Sequence, residues 1–226
     1  MIALVSTLTS PMVRKLGLVA SLLILLGSFG GGSLQKRNSL LSAANLDFLS
    51  FGHGAAFSNV TLWLGTVLFV VAWVLMGKLV IDKVVGADYV RRTLCVWLVP
   101  LVGAAPIMSR DVYSYLMQGT LLRDGLNAYT QGPASNPNQI LFEVSHDWRN
   151  TTTPYGPLHL WIGEAVTTIF GDNVTAGVYA FKVLAVAGFV AIMWFVPKIA
   201  QHLGADPAFA LWLGVANPVM VFHLVG

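Results

Sequence analysis

Polar and apolar positions fall into long blocks along this chain and do not alternate. Apolar runs occupy roughly 14–31, 59–81, 92–108, 155–170, 174–197 and 207–225. A bilayer crossing takes about 20 mostly apolar residues in one helix. The run VTLWLGTVLFVVAWVLMGKLVI, residues 60–81, meets that requirement most clearly. The run at 92–108 is interrupted by Pro100 and Pro106, and the run at 155–170 is the shortest and carries Glu164. Between these two lies 109–154, the longest polar stretch, with four of the ten acidic residues: Asp111, Asp124, Glu143 and Asp147. Within it NAYTQGPASNPNQ, 127–139, is a turn-rich loop with no room for a helix. Long loops of this kind in a compact protein are usually functional.

Composition agrees with the blocks. Hydrophobic residues make up 56% of the 226 and charged residues only 10%, where a soluble domain has about a quarter charged. Mean hydropathy is +0.71. The pattern predicts an all-α integral membrane protein, a single multi-span domain over 1–226. Lysine and arginine in short loops mark the cytoplasmic side. Arg14 and Lys15 place the N-terminus inside, and Lys78, Lys83, Arg91 and Arg92 place the loop 78–92 inside. The loop 32–58, with only Lys36 and Arg37, is then outside, and so is 109–154. If 155–170 crossed, Lys198 and His202 would fall outside, so a juxtamembrane or re-entrant helix fits better there. About five transmembrane helices result. LGLVASLLILLGSF near the N-terminus resembles a signal-peptide core, but no A-x-A-like cleavage site follows, so it reads as a retained span. The C-terminus, HLVG, falls inside an apolar run and reads as the end of a fragment. The single cysteine, Cys95, lies in an apolar run and is expected to be a buried, inert thiol. No basic cluster interleaved with aromatics is present, which gives nucleic acid no footing as a partner.

The candidate chemistry concentrates in two stretches. In SRDVYSYLMQG, 109–119, helical spacing puts Asp111, Ser114, Tyr115 and Gln118 on one side, and Val112, Leu116, Met117, Thr120 and Leu121 on the other. That describes a short amphipathic helix at a membrane surface. Asp111 falls in its first turn, where the helix dipole favours a carboxylate. It is either a helix cap or a functional acid. In TTTPYGPLHLWIGE, 151–164, two prolines bracket Tyr155 and Gly156, and the helix starts at Pro157. Tyr155 and Trp161 have the character of interface anchors. His159 and Glu164 are ionisable groups in an apolar helix, functional candidates or water-facing groups. Lys182 either meets a phosphate or snorkels. Asp111, Asp124 and Asp147 could supply oxygen ligands to a divalent cation, but their spacing makes no metal motif.

In these residues and their order the sequence resembles the C-type membrane glycosyltransferases that use polyprenyl-phosphate sugars. The resemblance rests on Asp111 in SRDVYSY just after a span, GLNAY at 125–129, YGPL at 155–158, and ANPVMVFHLVG near the end, and it covers about 92–226. It is strongest to the actinobacterial α-(1→6)-mannosyltransferases that take mannose from polyprenyl-phosphomannose. Those enzymes are longer, and many carry an acidic pair where this chain has Arg110 beside Asp111. The resemblance implies a GT-C-like fold with an extracytoplasmic catalytic loop, here 109–170. It implies inverting transfer to a mannan lipoglycan acceptor, with Asp111 as general base and no certain cofactor. Arg110, Tyr115, Arg123, Arg149, Tyr155 and His159 become candidates for the donor's phosphate and sugar, and Asp147 and Glu164 for a second acid. A transporter or flippase, with Glu164 and Lys182 along a path, and a non-catalytic assembly subunit are the competing expectations.

Overall fold

The computed structural model describes residues 9–33 and 39–226, and the regular structure there is entirely helical. Lys36 and Arg37, on which the outer placement of the first loop leans, lie outside the described residues. The helices are α1 (Ser10–Gly31), α2 (Ser39–Ala43), α3 (Gly52–Ile81), α4 (Ala87–Gly103), α5 (Asp111–Arg123), α6 (Pro157–Phe170), α7 (Val174–His202), α8 (Pro207–Ala210) and α9 (Pro218–Leu224). Among the described residues α1, α3 and α7 are long and apolar enough to cross a membrane. A fourth crossing results if Pro207–Val215 and Pro218–Leu224, bent by 56°, form one broken span. The bend falls at Asn217–Pro218, where the Asn217 side chain accepts a hydrogen bond from Val219 N at 2.9 Å and restarts the helix. The apolar run at 207–225 is therefore two pieces where the hydropathy alone suggested one.

The third apolar run also differs from expectation. Its helix, α4, has 17 residues, about 26 Å at 1.5 Å each. It starts five residues earlier than the run and ends at Gly103. Pro106 is the reason: the residue before a proline is pushed out of helical geometry. Pro100 is tolerated inside the helix.

The chain divides into two compact units, 1–32 with 48–108 and 185–226, and 33–47 with 109–184. In the first, α1 and α3 pack backbone to backbone. Gly27 and Gly31 form a G-x-x-x-G pair on α1, and a Cβ on Gly27 would lie 2.4 Å from Leu62 N. Without a strong hydrophobic drive inside lipid, close approach through small residues is what associates helices. Buried hydroxyls are satisfied locally, as Ser21 Oγ donates to Gly17 O at 2.9 Å and Thr61 Oγ1 to Phe57 O at 2.8 Å. The α4 face Val90, Leu94, Trp97 and Leu101 is buried at three- and four-residue spacing. Trp97 packs edge-on to Phe69 at 5.1 Å and donates from Nε1 to Arg14 O. Cys95 points the other way. Its thiol is exposed, not buried as expected, because Leu94, Trp97 and Leu98 take the inward face.

In the second unit α5 and α6 form a tight pair, with the 3₁₀ turns Pro133–Ser135 and Gln139–Phe142 against α5. Its core is Tyr113, Leu116, Met117, Ile140, Val144, Val166 and Val178.

Candidate active site

The N-terminus of α5 sets the first wall. Asp111 N donates to Ser109 Oγ at 3.0 Å, which turns the chain into the helix. The residue before the helix, Arg110, makes no side-chain cap. The Asp111 carboxylate is half-buried and, among the described residues, takes no hydrogen bond or ion pair. It is thus no helix cap in this structure, and its oxygens remain available.

From there the polar side of α5 faces a pocket of about 230 Å³. Asp111, Ser114, Tyr115 and Gln118, the four residues that helical spacing put on one side, all line it. They do not face open water, as a simple surface helix would have them. Ser114 and Gln118 are buried, because the segment 148–155 closes over them. Trp148, Thr151, Thr152, Pro154 and Tyr155 supply that opposite wall. Thr153 fixes it, donating from Oγ1 to Gln118 Oε1 at 3.0 Å and accepting from Tyr155 N at 3.2 Å.

Tyr155 then meets α5 through an aromatic cluster. Tyr115 stands edge-on to Tyr155 at 5.3 Å and to His159 at 4.7 Å. Tyr155 and His159 lie tilted at 4.5 Å, and Phe181 of α7 closes the group at 6.0 Å from Tyr115. Burial, together with the bond to the Tyr155 hydroxyl, pushes the Tyr115 phenol far above its ordinary value. It therefore stays protonated and remains a donor. What brings His159 to Tyr115 is the crossing of α5 and α6. A Cβ on Gly119 would lie 2.3 Å from the Gly163 carbonyl carbon and oxygen, so the two backbones touch.

Burial also holds the His159 imidazole below its ordinary value of 6.5. The unfolded chain therefore binds a proton at a pH where the folded one does not. Above pH 6.5 both are neutral and the stability is fully present; as the pH falls below 6.5 it is lost, until the folded imidazole protonates too. We expect His159→Gln to narrow the gap between the thermal midpoints of the detergent-solubilised protein at acid and at mildly alkaline pH. An unchanged gap would show that another group carries the acid sensitivity.

The three arginines singled out in the sequence do not line the pocket. Arg110 pairs with buried Glu143 at 2.8 Å, bonds its carbonyl, and lies 4.8 Å over the Tyr113 ring. A carboxylate buried to that degree requires a counter-charge, and Arg110 supplies one. Arg123, at the far end of α5, holds Asp124 at 2.8 Å and Asp172 at 3.0 Å. Arg149 donates to Val144 O at 3.3 Å. Asp124 lies about 20 Å along the helix axis from Asp111, tied to Arg123 and Asn136, and Asp147 is exposed on a 3₁₀ turn. Among the described residues no three His, Cys, Asp or Glu side chains converge as metal ligands. Glu164 is half-buried on α6 and Lys182 is buried on α7; neither lines the pocket. Trp148, Thr151, Thr152 and Phe181 escaped sequence reasoning. The threonine run before Pro154 was the available signal, whereas Phe181 has none inside an apolar helix.

Comparison with known proteins adds to this geometry. Residues 14–226 match a family model described as "Alpha-(1->6)-mannopyranosyltransferase, N-terminal domain". The chain is 56% identical over 212 residues to α-(1→6)-mannopyranosyltransferase A of Corynebacterium glutamicum, covering 90% of this chain and 43% of that protein. It is 40% identical to the protein of the same name from Mycobacterium tuberculosis, covering 94% of this chain and 41% of that one. To α-(1→6)-mannopyranosyltransferase B of C. glutamicum it is 30% identical, covering 95% and 37%. The chain thus spans about two fifths of the length of these relatives. No solved structure matches it.

Proposed function

Because the chain belongs to the α-(1→6)-mannopyranosyltransferase family, we propose that it is the N-terminal part of a membrane enzyme that moves mannose from a polyprenyl-phosphate donor to an α-(1→6)-mannan lipoglycan. About five spans hold it in the membrane with the N-terminus cytoplasmic, and the segment 109–170 forms the extracytoplasmic catalytic loop. The observation that carries this reading is the unpaired Asp111 carboxylate at the mouth of a pocket otherwise lined by hydroxyls, an amide and aromatic rings.

That lining suits one sugar ring. The acceptor hydroxyl attacks the anomeric carbon, the bond from that carbon to the phosphate oxygen breaks, and the phosphate leaves with the electron pair. The configuration inverts. Asp111 takes the proton of the attacking hydroxyl, the role one carboxylate plays toward water in inverting glycosidases. Phosphate is already a good leaving group, so no acid is needed. The hydroxyls of Tyr115 and Tyr155, both in the pocket lining, are donors for it, and the His159 ring stands behind them 4.7 Å from Tyr115. Arg110, Arg123 and Arg149 hold the walls in place instead.

The test uses membranes containing the complete protein, radiolabelled polyprenyl-phosphomannose and a short mannan acceptor. The expected product carries one more α-(1→6)-linked mannose. Transfer from a nucleotide sugar alone, or transport of the lipid without transfer, would overturn the reading.

A further inference from the structure

A second cavity of about 260 Å³ lies in the same unit. Its lining includes Gly125, Leu126, Asn127 and Tyr129, four of the five residues of GLNAY, a stretch to which the pocket at Asp111 assigns no work. Pro157, Leu160 and Trp161 of α6 form the facing wall. The two cavities share a partition: Tyr155 lines the first, Pro157 the second, and Tyr129 of the second donates from its hydroxyl to Tyr155 O at 3.0 Å.

Three features define what fits there. No charged residue lines the cavity, so the ligand is neutral, which disfavours a phosphate or a lipid headgroup. Two large aromatic side chains are open to a ligand, Tyr129 at 47% and Trp161 at 61% exposure. Such rings offer flat apolar faces beside polar edges, which match the two faces of a pyranose. The Tyr129 ring is also fixed at both ends, because its backbone N donates to Asn127 Oδ1 at 2.9 Å and its hydroxyl is held by Tyr155. A membrane anchor has no need of a fixed ring, whereas a binding platform gains affinity from one.

We infer that this cavity is a subsite for a neutral pyranose, the penultimate mannose of the acceptor chain, adjoining the pocket where Asp111 meets the terminal hydroxyl. This rests on the functional reading above, since that reading makes the acceptor a mannan. The subsite explains how an enzyme with one base would prefer an acceptor already longer than one sugar: the second unit contributes binding at Tyr129 and Trp161 and places the terminal hydroxyl.

The experiment compares a monomannoside with an α-(1→6)-linked dimannoside as acceptors for the complete protein in proteoliposomes. Wild type is expected to show a KM about tenfold lower for the dimannoside. Trp161→Ala raises the dimannoside KM toward the monomannoside value, with the loss selective for the longer acceptor. Tyr129→Phe keeps the ring but frees it, and gives a smaller shift of the same kind. Equal effects on both acceptors, as a lipid anchor would give, overturn the inference, and so does no effect. Binding of α-(1→6)-mannotriose to the solubilised protein, measured calorimetrically, separates the two readings. Binding that Trp161→Ala removes, in a wild type that transfers no mannose, keeps the subsite and rejects the enzyme. Transfer by wild type with mannotriose binding unaffected by Trp161→Ala does the reverse.

Discussion

Asp111→Asn, in the complete protein, is expected to lower mannosyl transfer by about 10²–10⁴-fold, the usual contribution of a positioned general base. The substitution keeps size and shape and removes only the capacity to take a proton. The Asp111 carboxylate accepts no hydrogen bond among the described residues, so an amide there strands no partner and the fold has little to lose. The thermal midpoint should move little, and donor binding should survive, because the lining hydroxyls and rings are untouched. A mutant that transfers at the wild-type rate would remove Asp111 from the chemistry. A mutant that fails to fold would show that the carboxylate holds structure, and Asp111→Glu then separates the cases, since it restores charge but not position.

Substitutions at Gly119 should act through geometry. With its Cβ 2.3 Å from the Gly163 carbonyl, even alanine must push α6 away from α5, and backbone has no rotamer with which to yield. Overpacking of this kind costs about 1–3 kcal/mol, occasionally more, so the loss of stability should grow, and the thermal midpoint fall, along the series alanine, valine, leucine. Transfer should fall further than stability does. Moving α6 separates His159 and Tyr155 from Tyr115, and a shift of about 1 Å at a site of this kind costs about 10²-fold. Gly188→Ala, where nothing lies within 4 Å of the added carbon, serves as the control. A Gly119→Leu protein with unchanged midpoint and rate would mean that the two helices do not touch at this point.

Much of this arrangement was legible in the sequence, for reasons that differ by element. Helices α1, α3 and α7 are announced by apolar length, and α6 by Pro157, whose missing N–H fits only a helix start. The polar side of α5 is periodic, so Asp111, Ser114, Tyr115 and Gln118 emerge together. What periodicity does not reveal is what covers that side. The wall from Trp148 to Tyr155 is irregular backbone, and bonds to residues distant in sequence hold it: Thr153 to Gln118 across 35 residues, Thr153 N to Ala128 O, and the Tyr129 hydroxyl to Tyr155 O. The partners of the arginines are hidden for a related reason. A guanidinium near an acidic site is a candidate phosphate ligand, and its carboxylate partner is not visible in the sequence, since Glu143 lies 33 residues from Arg110. Small α4 shifts and the break at Asn217–Pro218 belong to the same class, since proline rules give a boundary only to within a few residues.

The outward-facing Cys95 gives an experimenter something the fold did not require. It is the chain's sole thiol, and it stands on the opposite face of its helix from Trp97. Within residues 1–226 a maleimide or spin label therefore attaches at one known place. The reaction of Cys95 with lipid-soluble against water-soluble reagents turns the depth of α4 in the bilayer into a measurable rate.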